Sequence, residues 1–420
     1  MREGKEQEKK RSSDEGVPEG HGLTRRALLT GAAGVVGAVA LGMEAPIVSG
    51  QERTDAASGP GRPASAVGTR SSFEQPKRTP GGAASRTPLQ DLHGTITPAD
   101  LHYERHHSGV PAVDPSTYRL LVHGMVDRPT VFTLNDIKKF PATTRICFLE
   151  CSGNLGRQGG DKTTPQDLCG LTSQSEWTGV LLSTLFKEVG VRAGAKWFLA
   201  EGQDAAVMSR SIPIEKANDD AMIAYAQNGE ALRPEQGYPI RLLLPGWEGN
   251  ASVKWLRRID LAAVPFMTRE ETSKYTDPLA DGTSRQFSFV MDARSVITAP
   301  SYPQTVEPGW IEIRGIAWSG RGRIKRVNVS TNGGKSWSTA VLQEPVLSKA
   351  HTRFRLMWKW DGTPTTILSQ AVDETGYIQP EWKALTAVRD RRTRYHQNPI
   401  TGWKLGTGGQ VLFANERFSE

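Results

Sequence analysis

The stretch Arg145–Asn154 reads "RICFLECSGN". Its first part looks like a strand, and Ser-Gly-Asn is turn chemistry that ends it. On a strand, Cys147, Leu149 and Cys151 share one face. Cys147 lies inside the apolar run and reads as core. Cys151 stands at the strand's mouth, where small residues leave its sulfur accessible. The chain has three cysteines, so at least one is unpaired within it. No Cys-x-x-Cys occurs, which removes the zinc-ribbon and thioredoxin patterns. No Cys-x-x-Cys-His occurs, which removes attachment of a c-type haem. Two readings of Cys151 stay open on residue chemistry: a structural thiol, or a thiolate occupied by a soft or high-valent metal.

The compartment bears on that choice. "LTRRALLTGAAGVVGAVALG" places Arg25 and Arg26 directly before an apolar stretch. This is a twin-arginine signal, and the stretch is short and Gly/Ala-rich for a membrane span. The expected location is the periplasm, reached in the folded state, often with a cofactor installed. A free thiol there is a liability unless something occupies it. Formal net charge is +7; residues 1–50 carry seven basic and seven acidic side chains, so the remainder is itself basic. No Lys/Arg run interleaved with aromatics marks a nucleic-acid surface. An anionic substrate or acidic partner suits this charge better.

Organisation follows from composition and patterning. Residues 1–50 are the signal segment. Residues 51–90, rich in Ser, Gly, Pro, Ala, Thr and Arg, read as a disordered linker. Residues 91–285 mix strands such as "YRLLVHGMV" and "KWFLAEG" with helices such as "GVLLSTLFKEVG", closed by Gly190. "TLNDIKKFP" reads as a short helix entered through Asn135 or Asp136. Residues 286–420 carry short alternating strands, with the hairpin turn Asn332-Gly333-Gly334 among them. The expected class is α+β, followed by an immunoglobulin-like β-sandwich.

A family resemblance then joins these observations. "LECSGN" resembles the cysteine loop of the sulfite oxidase family of molybdenum enzymes. "HYERHHSGVP", "GQD" at Gly202–Asp204, "SIP" at Ser211–Pro213 and "GYPIRLLLPGWEGNASVKWL" are similar to further family motifs, in order and in register. "RGIAWSGRGRIKRVNVSTNGGKSW" resembles the family's dimerisation domain. The resemblance implies a molybdopterin-binding domain followed by the sandwich, with Cys151 as the metal ligand.

It also implies roles. Tyr103, Asp204, Ser211, Gln236, Arg241, Ser252, Val253 and Lys254 would contact the molybdenum–pterin cofactor. Gln236 replaces a usual histidine and brings no charge. Arg105 and His107 match an anion-binding loop; guanidinium offers paired donors to an oxyanion. Tyr275 in "SKYTDP" matches an active-site phenol. Trp177 matches a pocket wall, and Arg389 reaches the site from the second domain, with Arg391 or Arg392 as its substitutes. A zinc site on His102, His106 and His107 is the competing reading of that loop.

One departure narrows the function. Where sulfite oxidases usually carry an arginine five residues after the cysteine, Gly156 stands here, followed by the added segment "RQGGDKTTPQDLCGLTSQ". An opened loop and a lost cation suit a larger donor, and the pattern is similar to the SoxC-type sulfane dehydrogenase branch. Cys169 lies in the added segment, with Cys147 as a conceivable disulfide partner. The resemblance implies oxo transfer from molybdenum to sulfane sulfur or sulfite. Electrons would leave to a separate cytochrome c, since this chain carries no haem motif. A sulfur-carrier protein as substrate and a homodimer or hetero-oligomer complete the expectation. The competitors are a free-sulfite dehydrogenase, a methionine sulfoxide reductase on a related fold, and a cofactor-free binding protein.

Overall fold

The computed structural model describes residues 63–155, 159–391 and 393–414. The twin-arginine segment, Gly156 and Arg392 lie outside the described residues. Residues 63–69 belong to a separate compact unit, Met1–Thr69; all that follows concerns the unit beginning at Arg70. Among the described residues no helix is long and apolar enough to cross a membrane.

The chain runs through β1 (Thr79–Gly81), β2 (Ala84–Arg86), β3 (Glu104–Arg105), β4 (Leu120–Gly124), β5 (Thr130–Phe132), α1 (Leu134–Lys139) and β6 (Thr143–Glu150). It continues through α2 (Pro165–Cys169), β7 (Thr172–Leu181), α3 (Leu182–Val189), β8 (Trp197–Gly202), β9 (Ser209–Pro213), α4 (Ile214–Asp219) and β10 (Met222–Gln227). β11 (Glu230–Ala231), β12 (Arg241–Leu243) and β13 (Leu256–Ala262) complete the first half. Two five-stranded sheets build it: β11-β10-β7-β6 with β12 beside β10, and β5-β4-β13-β8-β9. A small third sheet has the order β1-β2-β3. One apolar core, including Leu120, Phe186, Ile223 and Ile259, joins the two large sheets to α1 and α3.

The second half holds β14 (Asp277–Pro278), β15 (Ser284–Arg285), β16 (Arg294–Ala299), β17 (Gly309–Trp318), β18 (Ile324–Ser330), β19 (Ser338–Thr339) and β20 (Val341–Leu342). β21 (Thr352–Trp360), β22 (Thr365–Asp373), α5 (Trp382–Thr386), β23 (Thr401–Leu405) and β24 (Val411–Ala414) follow. The sheets β16-β17-β21-β20 and β19-β18-β22-β23-β24 face each other across a core that includes Trp318, Phe354, Ile367 and Trp403. This is the expected sandwich.

β6 is the strand that ties the halves together. Its alternation sends Cys147 and Leu149 to a small cluster with Trp177, Tyr103 and Leu243. Phe148 points the other way, into the sandwich core. Both faces are covered, which explains an apolar run with no polar alternation.

Two local expectations need correction. α1 is capped by Thr133, not by Asn135 or Asp136; Asp136 is the third helical residue and closes a capping box with Thr133. α3 ends as read, with Gly190 in the left-handed region at φ 68°. The segment expected as linker is structured from Thr79 onward: β1 and β2 form a hairpin, and Thr87 and Leu89 are buried. Its polar composition hid this, because its order comes from hydrogen bonds to distant residues rather than from apolar burial.

Candidate active site

A cleft of about 640 Å³, open to solvent, lies where β3, the end of β6 and the β12–β13 connection meet. Cys151 is half-buried on its wall, with Arg105, His107 and Tyr275. The Ser-Gly-Asn loop fixes this cysteine. Its N–H donates to Leu171 O at 2.9 Å, and its carbonyl accepts from Asn154 N at 2.8 Å. Asn154 Nδ2 reaches Glu150 Oε1 at 3.0 Å and Cys169 O at 3.1 Å. Gly249 allows close approach: a Cβ there would stand 2.6 Å from Tyr103 Oη and 2.9 Å from Glu150 O. Burial pushes the Cys151 thiol up, with a backbone hydrogen bond from Gly153 and the Arg105 charge opposing. A metal or a nearby cation is therefore what would hold it as thiolate.

Tyr275 closes a π-helical turn, Glu270–Lys274. Its hydroxyl lies 2.8 Å from His107 Nε2. Burial, then the Arg105 charge, lowers His107 to about 4, so the ring is neutral at pH 7 and can accept the phenol's hydrogen bond. Burial raises the Tyr275 phenol. Beneath its ring, Arg210 sits 5.1 Å from the centroid, itself held by Glu248 at 2.9 Å and Glu271 at 2.7 Å. Both carboxylates are fully buried in this network. Glu248 also takes Asn250 Nδ2 at 2.8 Å and lies 3.4 Å from His396 Nε2. Burial alone would lower His396, but Asp277 at 2.9 Å and Glu248 carry it up to about 9.

The lining also holds two cations, Arg241 and Lys254, whose direct hydrogen bonds run to carbonyls and to His106 rather than to carboxylates. Arg241 donates only to carbonyls, Gln236 O at 3.0 Å and Ser252 O at 2.9 Å among them. Lys254 Nζ reaches Arg105 O at 3.1 Å, Glu235 O at 3.0 Å and His106 Nδ1 at 2.9 Å. Burial lowers Arg241 to about 10. Burial, and Arg241 beside it, lowers Lys254 from 10.5 to about 7. Three buried polar atoms of the lining have no partner among the described residues: His102 Nε2, Arg105 NH1 and Asn250 Oδ1. These cations, with the orphaned donors and acceptors, fit a large anionic heterocycle.

The Lys254 shift gives a testable sign. The unfolded chain keeps this proton to about pH 10.5, whereas the folded, cofactor-free protein releases it near 7. Between those values the unfolded state binds more protons, so Lys254 makes stability rise with pH. Lys254→Met should remove that slope. Guanidinium unfolding at pH about 7, 8.5 and 10 should show wild type gaining on the variant as pH rises. A flat difference overturns the assignment.

Most expected residues meet here. Tyr103, Asp204, Gln236, Arg241, Ser252, Val253 and Lys254 line the cleft with Arg105, His107, Cys151 and Tyr275. Three do not. Trp177 is buried behind the wall, where its Nε1 donates to Cys147 O and Arg241 covers its ring at 5.2 Å. Ser211 is buried on β9, its hydroxyl accepting from Phe266 N. Arg389 pairs with Asp292 and donates to His396 O, so it braces the 393–396 loop from behind. That loop brings Tyr395 forward instead, its ring 5.1 Å from that of Tyr275.

The zinc reading fails because the three histidines face different partners. His102 stacks on Tyr103, His106 joins Glu104 and Lys254, and His107 joins Tyr275. Among the described residues no three His, Cys, Asp or Glu side chains converge on a metal position. Cys147, Cys151 and Cys169 are all free, so no disulfide joins Cys147 to Cys169. The network of Arg210, Glu248, Asp277 and His396 went unread in the sequence. Glu248 and Asn250 within "GWEGN" were its only local trace.

Comparison with known proteins agrees with this site. Residues 107–269 match the oxidoreductase molybdopterin binding domain, and residues 285–402 the Mo-co oxidoreductase dimerisation domain. Sulfite oxidase of Gallus gallus is 31% identical over 314 residues, 68% of this chain and 68% of that protein. The chain belongs to the sulfite oxidase family. Another family relative, the NADH nitrate reductase of Ulva prolifera, is 30% identical over 342 residues, 70% of this chain. The chain spans only 39% of that reductase's length. Among solved structures, the sulfane dehydrogenase SoxCD from Paracoccus pantotrophus superimposes with a TM-score of 0.84 at 44% identity, covering 89% of this chain and 100% of that one. The sulfite oxidase family's cofactor is a molybdopterin, and the cations and orphaned atoms of the lining fit it.

Proposed function

We propose that this chain oxidises a sulfur-centred anion, sulfane sulfur in the first place, at a molybdenum ligated by Cys151. One observation carries the reading: Cys151, Arg105 and the Tyr275–His107 pair line one cleft together with the cations Arg241 and Lys254. The similarity to SoxCD supports sulfane sulfur as the substrate, and similarity to sulfite oxidase supports free sulfite as the second reading. When bound, the molybdenum cofactor supplies oxygen-atom transfer and accepts the two electrons. Tyr103, Asp204, Gln236, Arg241, Ser252, Val253 and Lys254 would hold the pterin. Arg105 would orient the substrate anion with its free NH1. Tyr275 would present its hydroxyl at the reacting oxygen, held in place by its hydrogen bond with neutral His107.

The protein's surroundings are proposed on sequence grounds. Arg25-Arg26 before an apolar stretch supports export to the periplasm. The lack of a Cys-x-x-Cys-His supports a separate cytochrome c as electron acceptor. The dimerisation domain supports a homodimer or hetero-oligomer.

Metal analysis of the purified protein should give about one molybdenum per chain. Steady-state rates with carrier-bound sulfane sulfur and with free sulfite then separate the two substrate readings. Absence of molybdenum, with anion binding intact, would point to a binding protein instead.

A further inference from the structure

The β1–β2 hairpin and the added helix α2 lie outside the cleft, yet together they carry its arginine wall. β3, which holds Arg105, has two residues and pairs with β2 alone: Ala84 opposite Arg105, Ser85 opposite Glu104. His106 N donates to Ala83 O at 2.9 Å. Arg78 NH1 donates to His102 O at 3.1 Å, and Thr87 Oγ1 to Leu101 O at 2.9 Å. Residues 78–87 thus hold the backbone of residues 101–106 along one side, while Ser173 and Gln236 hold Tyr103 and Lys254 caps the Arg105 carbonyl. Within the Arg105 guanidinium, the buried NH1 has no partner among the described residues.

What fixes the hairpin is α2. Gln166 is buried, and its Nε2 donates to Lys77 O at 3.0 Å and Arg86 O at 2.7 Å, spanning both strands at the open end of the hairpin. Thr87 N donates to Gly170 O at 2.8 Å. A Cβ on Gly170 would stand 2.8 Å from Arg86 Cβ, so the two segments touch. α2 is rigid in turn: Thr164 and Asp167 close a capping box, and Leu168 and Cys169 sink into the sandwich core. Among the described residues, no residue of the added segment lines the cleft. This part of the segment clamps the hairpin.

We propose that Gln166 is a positioning residue for anion binding, acting through the hairpin to hold Arg105. The inference rests on the reading of Arg105 as the anion-binding group. Gln166→Glu keeps the size of the side chain and removes the donor; Gln166→Ala serves as a second variant should the first not fold. Two readouts on the holoenzyme test it. Amide hydrogen exchange at residues 104–106 should accelerate by about tenfold, while Leu256–Ala262 of β13 stays unchanged. The dissociation constant for inorganic sulfate should rise about fivefold, with molybdenum per chain unaltered. Unchanged exchange at 104–106, or unchanged sulfate affinity, overturns the proposal. Failure of the wild type to oxidise any sulfur substrate strikes the parent reading alone, because neither readout uses turnover.

Discussion

Replacing Cys151 with serine should lower turnover by more than about a hundredfold, since even outer partners of a metal ligand commonly cost 10–100-fold. The variant should still fold and still hold pterin. Cys151 Sγ takes part in none of the chain's cores as a buried member; it only borders the small cluster behind the cleft. The loop's order comes from backbone and Asn154 contacts that a serine leaves in place. The pterin contacts expected of Arg241 and Lys254 come from side chains that the substitution does not touch. Steady-state rates, pterin fluorescence after denaturation and molybdenum analysis check these points together. Full activity in Cys151→Ser would remove the proposed chemistry. Loss of fold would show that Cys151 is structural, the other reading its position at a strand end allows.

How far this site could be read from sequence depends on the range of the forces that build it. Cys151, Arg241 and Lys254 sit in short motifs where strand alternation and turn residues fix each side chain. Their local pattern therefore carries their placement. Gln166 and the hairpin escaped because the contact between them is long-range, although each has local order of its own. Residues 79–86 contain little to bury, and their partners lie some 80 residues away, at α2. Arg389 was misassigned for a related reason. Residues 389–391 and 393–396 have little regular structure, so alternation gives no direction for their side chains, and it is Tyr395 whose ring meets Tyr275. Trp177 was assigned correctly to the neighbourhood but to the wrong layer. On β7 it faces Cys147 and Arg241, one layer behind the open space. The buried charges Glu248, Glu271 and Arg210 run against composition-based expectation altogether, because charged residues are rarely fully buried unless paired.

The same logic isolates the residue whose loss should cost the fold most. Glu150 precedes the cysteine on β6 and faces the sandwich, where its side chain is fully buried. Arg294 NH1 pairs with Oε1, Trp318 Nε1 donates to Oε2 at 2.7 Å, and Asn154 adds its own bond from the cysteine loop. Arg294 is almost as buried; it also donates to Gln397 O and lies over the Trp318 ring at 5.8 Å. Glu150→Ala leaves that guanidinium uncompensated between the two halves and strands the Trp318 and Asn154 donors. Breaking a buried pair from one side typically costs about 3–5 kcal/mol, far more than the intact pair contributes. Guanidinium unfolding followed by tryptophan fluorescence should register a loss of that size, and Glu150→Gln, which keeps an acceptor but not the charge, a smaller one. The cost should not stay in the core. Asn154 binds Glu150, the Cys169 carbonyl and the Leu171 amide, so the alanine variant also loosens the turn that presents Cys151. Molybdenum retained per chain should fall in Glu150→Ala and hold in Glu150→Gln. A change in unfolding free energy below about 1 kcal/mol for Glu150→Ala would mean that water already compensates Arg294, and that the two halves are not joined through this pair.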